Sequence, residues 1–546
     1  MCLCEKPARA GAINLKGVTY MDHAKRWMAL LLALLFLGGT ALADTSVLNE
    51  SGFPIVKEPV TLRVMGSISP VQPEFKDMYL MNKYEEMTGV HVEWTSVPSS
   101  ARTERVTLAI SSGDLPDVFF KCGISASSLQ VYGDSGDLLD LAPMLETYAP
   151  NFWAYAQQYP DVLASVTTPD GKIYSLPAIA DAPAARMNKK LYFNQHFMDA
   201  LNLSQPRTAD ELYTVLKAMK EGDPNGNGEA DEVPLSESTG TLYMVFGGLY
   251  GCFNRGTHHE EYDVDPQTGA IRHIKTSDAF RQTLEFMNKL YAEGIIDQES
   301  ITFNDARAVG LISQDRQGVY FATNLALLPA DKMDEWTPAE GWVDGAIWPL
   351  MRSHLHSVGA FAISADCKNP EIALRWVDYF YSEEGVRFFH YGIDGDTCQT
   401  NADGSLSYVD SILAQVTGDK SYDEVVSQYS AYCGGNNPTI MSYPGYAGME
   451  LSPVPMASAE ALSAYTPEII WPFFNYTDEE KEIVTTTGTE IDNYVRQTCA
   501  EFLTGERELS DAEWNGYVQR VNDMGLDAML KVMTDASARA MAIVGV

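Results

Sequence analysis

From Val60 the chain alternates β-rich runs with helical stripes. Val60 to Met65 is a short β-rich run, Phe75 to Met87 is helical and stops at Gly89, and Val90 to Val97 is the next strand. Glu104 to Ile110 is a helix closed by Gly113, and Asp117 to Phe120 a buried strand. Strand, helix and strand at this spacing predict an α/β fold with a parallel sheet covered by helices. Ligands of such sheets sit beyond the carboxyl ends of the strands, which points to Gly66-Ser67 and Phe120-Lys121. Further on, Leu212, Val215, Leu216 and Met219 form one apolar helical stripe behind a capping box of Thr208 and Glu211. Phe280, Leu284, Met287 and Tyr291 form another, capped by Ser277 and stopped at Gly294. Gln317 to Phe321 and Gly359 to Ser364 look like strands returning to the first sheet. Asn369-Pro370 opens a helix running to Ser382 and ending at Gly385, with Pro at the first helical position. After a loop-rich stretch, 394–470, Thr477 and Glu480 make a second capping box, and the rest is helical.

Pro206 to Leu235 carries the most specific chemistry. After the capped helix, Asp223, Asn225 and Asn227 stand at alternate positions, followed by Gly228, Asp231 and Glu232. Hard cations take several oxygens at about 2.3–2.6 Å, and alternate side chains on a tight loop converge on one point. The pattern is close to an EF-hand calcium loop with one departure. Its twelfth position is Pro234, so Glu232 supplies the late carboxylate. Val233 to Ser236 reads as a strand, making the loop a clip between helix and strand. The plain alternative is a solvated Asn-Gly turn.

Asn188 to Leu212 followed at once by this loop resembles the extracellular solute-binding proteins of sugar-type ABC importers, family 1. Within them it is most similar to the large oligosaccharide-binding and lipoprotein-like members from Firmicutes. The resemblance implies one structural calcium ion held by Asp223, Asn225, Asn227, Asp231 and Glu232 with the Glu229 carbonyl, away from the ligand. It also covers Asp170 to Ala178, similar to the family's first inter-lobe crossing, Gly392 to Gly395, and Asp511 to Tyr517 near the C-terminus. The fold it implies is periplasmic-binding-protein-like type II: two discontinuous α/β lobes joined by a hinge, with a helical C-terminal extension. The expected segments are 1–43 upstream and signal peptide, 44–180 first lobe, 181–311 second lobe, 312–366 first lobe, and 367–546 second lobe with the terminal helices.

A chain of 546 residues is too long for one core, which agrees with lobes. Its formal charge of −36 opposes binding to nucleic acid or anionic membrane, since the phosphate term would be repulsive. Met21 to Ala43 has a basic start, an apolar run and an Ala-Leu-Ala cleavage site, the parts of a secretory signal peptide. Met21 reads as the start of translation. The place is thus secreted or cell-surface, although no lipobox cysteine stands near Ala43, where most Gram-positive members of the resembled family carry one. Six cysteines follow the signal without metal spacing; Cys398 with Cys433 is the first disulfide to test, and buried free thiols are the alternative.

A sugar site pairs flat aromatics with a few carboxylate, amide and guanidinium groups. Trp348, Tyr243 and Tyr446 are the candidate stacking platforms, and Ser67, Phe120, Lys121 and Arg186 the polar or wall contributions. Trp376, on a stripe with Ile372 and Tyr379, is assigned to core. No nucleophile elbow, zinc-protease spacing or phosphate loop is present. The expected function is capture of an oligosaccharide or related solute between two lobes by a monomer that hands it to a permease, with no reaction performed. A secreted glycan hydrolase and a ligand-presenting sensor for a membrane kinase are the alternatives.

Overall fold

The structure, a computed structural model, describes residues 47–545 apart from 257–258, 403, 418–419, 421 and 432–434. The segment Met21 to Ala43, expected to be a signal peptide, and Cys433 therefore lie outside the described residues. Nine strands build two sheets: β1 Val60–Ile68, β2 Val90–Pro98, β3 Val118–Ile124, β4 Leu176–Ala180, β5 Lys190–Asn194, β6 Val319–Ala322, β7 Trp336–Pro338, β8 Leu355–Ile363 and β9 Ile440–Met441.

The first sheet has the order β9-β4-β8-β3-β1-β2. β1 lies parallel to both β2 and β3, whereas β8 runs antiparallel between β3 and β4. Its internal strands β3 and β4 are buried almost throughout, which fits text that is apolar except at Lys121 and Gly123 of β3. The second sheet is three short antiparallel strands, β6-β5-β7. Leu235, just after the Asp/Asn loop, adds a parallel bridge to Val319 of β6 and another to Ile296. The strand expected at Val233 to Ser236 is therefore a single bridging residue.

The capping boxes at Thr208/Glu211 and Thr477/Glu480 are both formed, each with its reciprocal pair of hydrogen bonds. The helix opened by Pro370 differs from expectation. It ends at Asp378, and Ser382 caps a new helix, Glu383–Tyr391, by accepting from the Gly385 amide at 3.0 Å. Gly385 is thus a first-turn residue rather than a stop. A side chain there would meet the Tyr379 carbonyl oxygen at 1.7 Å, so this tight junction demands glycine.

Two corrections to the expected chain path follow from pairing and packing. Gln317 to Phe321 does not return to the first sheet, because β6 pairs with β5 through Leu191↔Phe321 and Tyr192↔Tyr320. The helices of 370–391 stay with the first sheet, where Trp376, Phe380 and Phe389 join the core containing Phe75, Val118 and Phe361. Both shifts have one cause: β8 pairs on two sides inside the first sheet and carries the following helices with it. The chain passes between the halves after Ala180, before Leu355 and after Met441. These passages lie side by side. The Ala180 amide donates to the His354 carbonyl (2.8 Å), Met187 bridges Met351, and the Asp181 amide donates to the Met441 carbonyl (3.1 Å).

The helices Thr489–Thr504, Asp511–Asp523 and Leu526–Val544 add Val495, Phe502, Trp514, Tyr517 and Met533 to the core of the second half. Among the described residues no helix is long and apolar enough to cross a membrane. The five described cysteines after the signal, Cys398 included, are buried free thiols.

Candidate functional site

A cavity of about 420 Å³ opens where the second sheet meets the segments that come back from the first. Lys189, Tyr320, Thr323 and Asn324 line it from β5 and β6 and their ends, with Glu450 from the same half; Tyr422 and Asp423 line it from the segment 355–441. Strand alternation explains the first group. Phe321 points into the large core while Tyr320 and Ala322 point to the other face. Thr323 is fixed by two bonds: its hydroxyl donates to the Asn188 carbonyl (2.6 Å), and its carbonyl accepts the Lys190 ammonium (2.6 Å). Burial lowers the Lys190 pKa to about 7, only partly offset by the Glu450 charge. Lys189 pairs with the buried Glu237 at 3.0 Å, so its charge is compensated. With Asp305, Asp423 and Glu450 also on the wall, the cavity is acidic on balance and suits a neutral, hydroxyl-rich ligand better than an anion.

The expected ligand residues divide into two sets. Trp348 is fully buried against Trp342 and Phe321, Phe120 is fully buried among Phe75, Trp94 and Trp376, and Tyr243 packs on Phe280 under the Lys275 ammonium. All three are core aromatics, Trp348 and Tyr243 where stacking platforms were expected and Phe120 where a wall was expected. Trp376 is also core, as expected. An apolar ring of this size gains most from complete burial, and nothing in local text separates that fate from a cleft wall.

The polar candidates sit closer to the passages between the halves. Lys121, in the middle of β3 with φ of 57°, donates to the buried Gln72 side-chain carbonyl at 3.2 Å. Its charge helps to lower the pKa of buried His390, after burial itself, and that ring meets Tyr446 edge-on at 4.8 Å. The Tyr446 hydroxyl donates to Glu450 on the cavity wall (2.8 Å). Lys121 and Tyr446 are thus brought into one region behind the cavity, and Ser67 is buried at the end of β1. Arg186 is at the passages instead. It donates to the Arg352 carbonyl (3.0 Å) and to His354 Nε2 (3.1 Å), and His354 Nδ1 bonds Asp161 (2.9 Å). Burial lowers the Arg186 pKa, opposed by the Asp161 carboxylate. Tyr320, Asn324, Tyr422, Asp423 and Glu450 line the cavity without having been singled out in the sequence; Tyr422 stands in the loop-rich stretch, where no pattern marks it.

The Asp/Asn loop folds on its own polar atoms. Asp223 takes positive φ (47°), and its carboxylate accepts the amides of Asn227 (3.0 Å) and Gly228 (3.1 Å). The Asn227 side-chain oxygen accepts the Glu229 amide (2.7 Å), and the Asn225 and Asn227 amides both donate to Asp231. Gly226 and Gly228 supply the left-handed turns. Glu232 is completely buried, and among the described residues neither of its carboxylate oxygens has a hydrogen-bond partner. Burial raises its pKa, and the Asp231 and Asp223 charges add to the rise. The Asp231 and Asp223 charges reach the Glu232 carboxylate, but the three groups do not converge on one point. Asn225 and Asn227 stand between the carboxylates with their NH₂ groups toward Asp231, and among the described residues no three Asp, Glu, His or Cys close on one point.

Two α/β halves strung on three adjacent passages, with a polar cavity at their junction, define a solute-binding architecture of the type II periplasmic kind. The chain belongs to the bacterial extracellular solute-binding proteins, whose family model matches residues 69–387. A fructooligosaccharide ABC transporter substrate-binding protein, FusA of Streptococcus pneumoniae serotype 4, is 26% identical over 516 residues, covering 90% of this chain and 93% of that one. A solved "HMO binding" solute-binding protein associated with an ABC transporter, from Bifidobacterium longum infantis, superposes with a TM-score of 0.71. It is 20% identical and is covered to 99% by 88% of this chain. An EF-hand mutant of S. pneumoniae FusA in complex with fructo-nystose superposes at 0.66, with 23% identity over 88% of this chain and 99% of that one. These two likenesses speak for the fold.

Proposed function

We propose that this protein is the extracellular substrate-binding subunit of an ABC importer and captures a neutral oligosaccharide in the cavity between its halves. The observation that carries the reading is the cavity wall. Tyr422 offers an exposed ring face, while Asn324, Asp423 and Glu450 offer amide and carboxylate partners for hydroxyls. Family membership supports a binding role, and the fructooligosaccharide-binding relative supports the ligand class. The three passages support closure: a ligand touching both walls makes contacts available only when the halves are together, and so shifts an open–closed equilibrium. The segments proposed for the halves are 47–180, 355–441 and, on the other side, 181–354 and 442–545.

The loop at 223–232 is proposed to hold one structural calcium ion through Asp223, Asn225, Asn227, Asp231 and Glu232, with the Glu229 carbonyl. When bound, the cation would neutralise the crowded carboxylates. The chain's own part is to deliver Glu232 from the interior and to tie the loop to the second sheet through Leu235.

Isothermal titration of the mature protein with a panel of neutral and uronate oligosaccharides, paired with small-angle scattering, tests the reading. Saturable binding of a neutral glycan with a fall in radius of gyration is expected. Binding of no glycan, or binding without compaction, would refute the clamp.

A further inference from the structure

A second cavity, of about 630 Å³, lies on the first half, on the far side of the short helix Tyr422–Val426. Tyr422 and Asp423 line the cavity between the halves, whereas Glu424, Gln428 and Tyr429 line this one. One five-residue helix therefore partitions two adjacent hollows. The opposite wall is the loop and helix that follow β1, contributing Gln72, Asp77, Tyr79 and Asn82.

The wall is built, not incidental. Ser427 donates to the Val71 carbonyl at 3.1 Å and the Tyr79 amide to the Gln428 carbonyl at 3.3 Å, which clasps the segment around 422–430 onto the loop after β1. The Tyr79 hydroxyl is held by Asp396 and the Tyr429 hydroxyl by the Gln415 side chain. With their hydroxyls anchored, the half-buried rings of Tyr79 and Tyr429 stand 6.4 Å apart at 59°. They make a corner with two apolar faces. The floor is the buried Gln72, whose carbonyl accepts Lys121 from the middle of β3. At the rim are the exposed Asp77 carboxylate and Asn82 amide.

We infer that this cavity is an outer subsite for further sugar units of the same chain ligand, lying across the helix 422–426 from the main cavity. The inference rests on the oligosaccharide reading above and extends it to ligand length. Two fixed ring faces suit the C–H faces of pyranose or furanose units, and a carboxylate with an amide suits their hydroxyls. A mono- or disaccharide would fill only the cavity between the halves. The preferred ligand is a longer, neutral chain.

The test is titration calorimetry of the full mature chain against a size ladder of one glycan that binds it. Asp77→Asn, Asn82→Ala and Tyr429→Ala are compared with wild type, and melting curves confirm the fold; the first two change exposed side chains and keep the experiment decisive if Tyr429→Ala unfolds. Wild-type affinity is expected to rise with chain length. The variants should lose about tenfold on the longest member and nothing on the shortest. Equal losses at every length, no loss at any length, or a wild type indifferent to length would overturn the outer subsite and leave the main cavity standing. A wild type that binds no glycan would overturn both readings.

Discussion

The two halves solve the packing problem differently. The first has a six-stranded sheet whose central strands are apolar on both faces, and most of its core comes from residues close to those strands. The second has three short antiparallel strands that cannot bury a core alone. It gathers helices from 209–221, 239–249, 278–292 and 489–544 around them. The half with less sheet leans on remote chain and on a polar loop joined to it by one bridging residue. Stability in the first half is therefore local. In the second half it is spread over many small devices, and these can be removed one at a time.

The largest effect tests the core of the weaker-sheeted half. Trp348→Ala should cost about 3–5 kcal/mol in urea unfolding, as removal of a fully buried ring does. Glycan affinity of the protein that remains folded should be unchanged. Retained stability with lost binding would return Trp348 to the ligand. Next, saturating calcium at about a hundredfold over its dissociation constant should stabilise by about 2.7 kcal/mol, and chelator should remove that gain. Asp223→Ala should melt at one temperature in calcium and in chelator; a calcium-dependent melt in this variant would remove the ion from the loop. Tyr422→Ala, at a 36% exposed ring, should leave stability within about 0.5 kcal/mol. Its glycan affinity should fall about tenfold by calorimetry, or about 1.4 kcal/mol. The smallest comparison uses the two capping boxes. Thr208→Ala and Thr477→Ala should each cost about 1 kcal/mol. Only the first, at the start of the helix that leads into the Asp/Asn loop, should also weaken calcium stabilisation. Equal calcium responses in the two variants would uncouple the loop from its helix.

Much of this architecture was legible in the text, for reasons that are local. The capping boxes at Thr208 and Thr477, the Gly89 and Gly113 helix stops, and the β1–β2–β3 alternation are written in neighbouring residues. The destination of β6 was not legible, because Val319 to Ala322 can pair with any edge and its choice of β5 is a tertiary decision. The cavity wall was equally opaque. Phe120, Tyr243 and Trp348 share the chemistry of Tyr422, and only packing over hundreds of residues decides which rings are enclosed. Lys121 and Tyr446 meet through His390, a tertiary contact that no local pattern announces.

The order in which the first sheet is assembled has a consequence for how the protein is made. Among the described residues β4 finds its strand neighbours in β8 and β9, so the strand finished at Ala180 stays unpaired until residues 355–363 have been synthesised and half-paired until 440–441 follow. Contacts that distant in sequence form slowly. The first sheet of a nascent chain therefore remains incomplete for most of its synthesis.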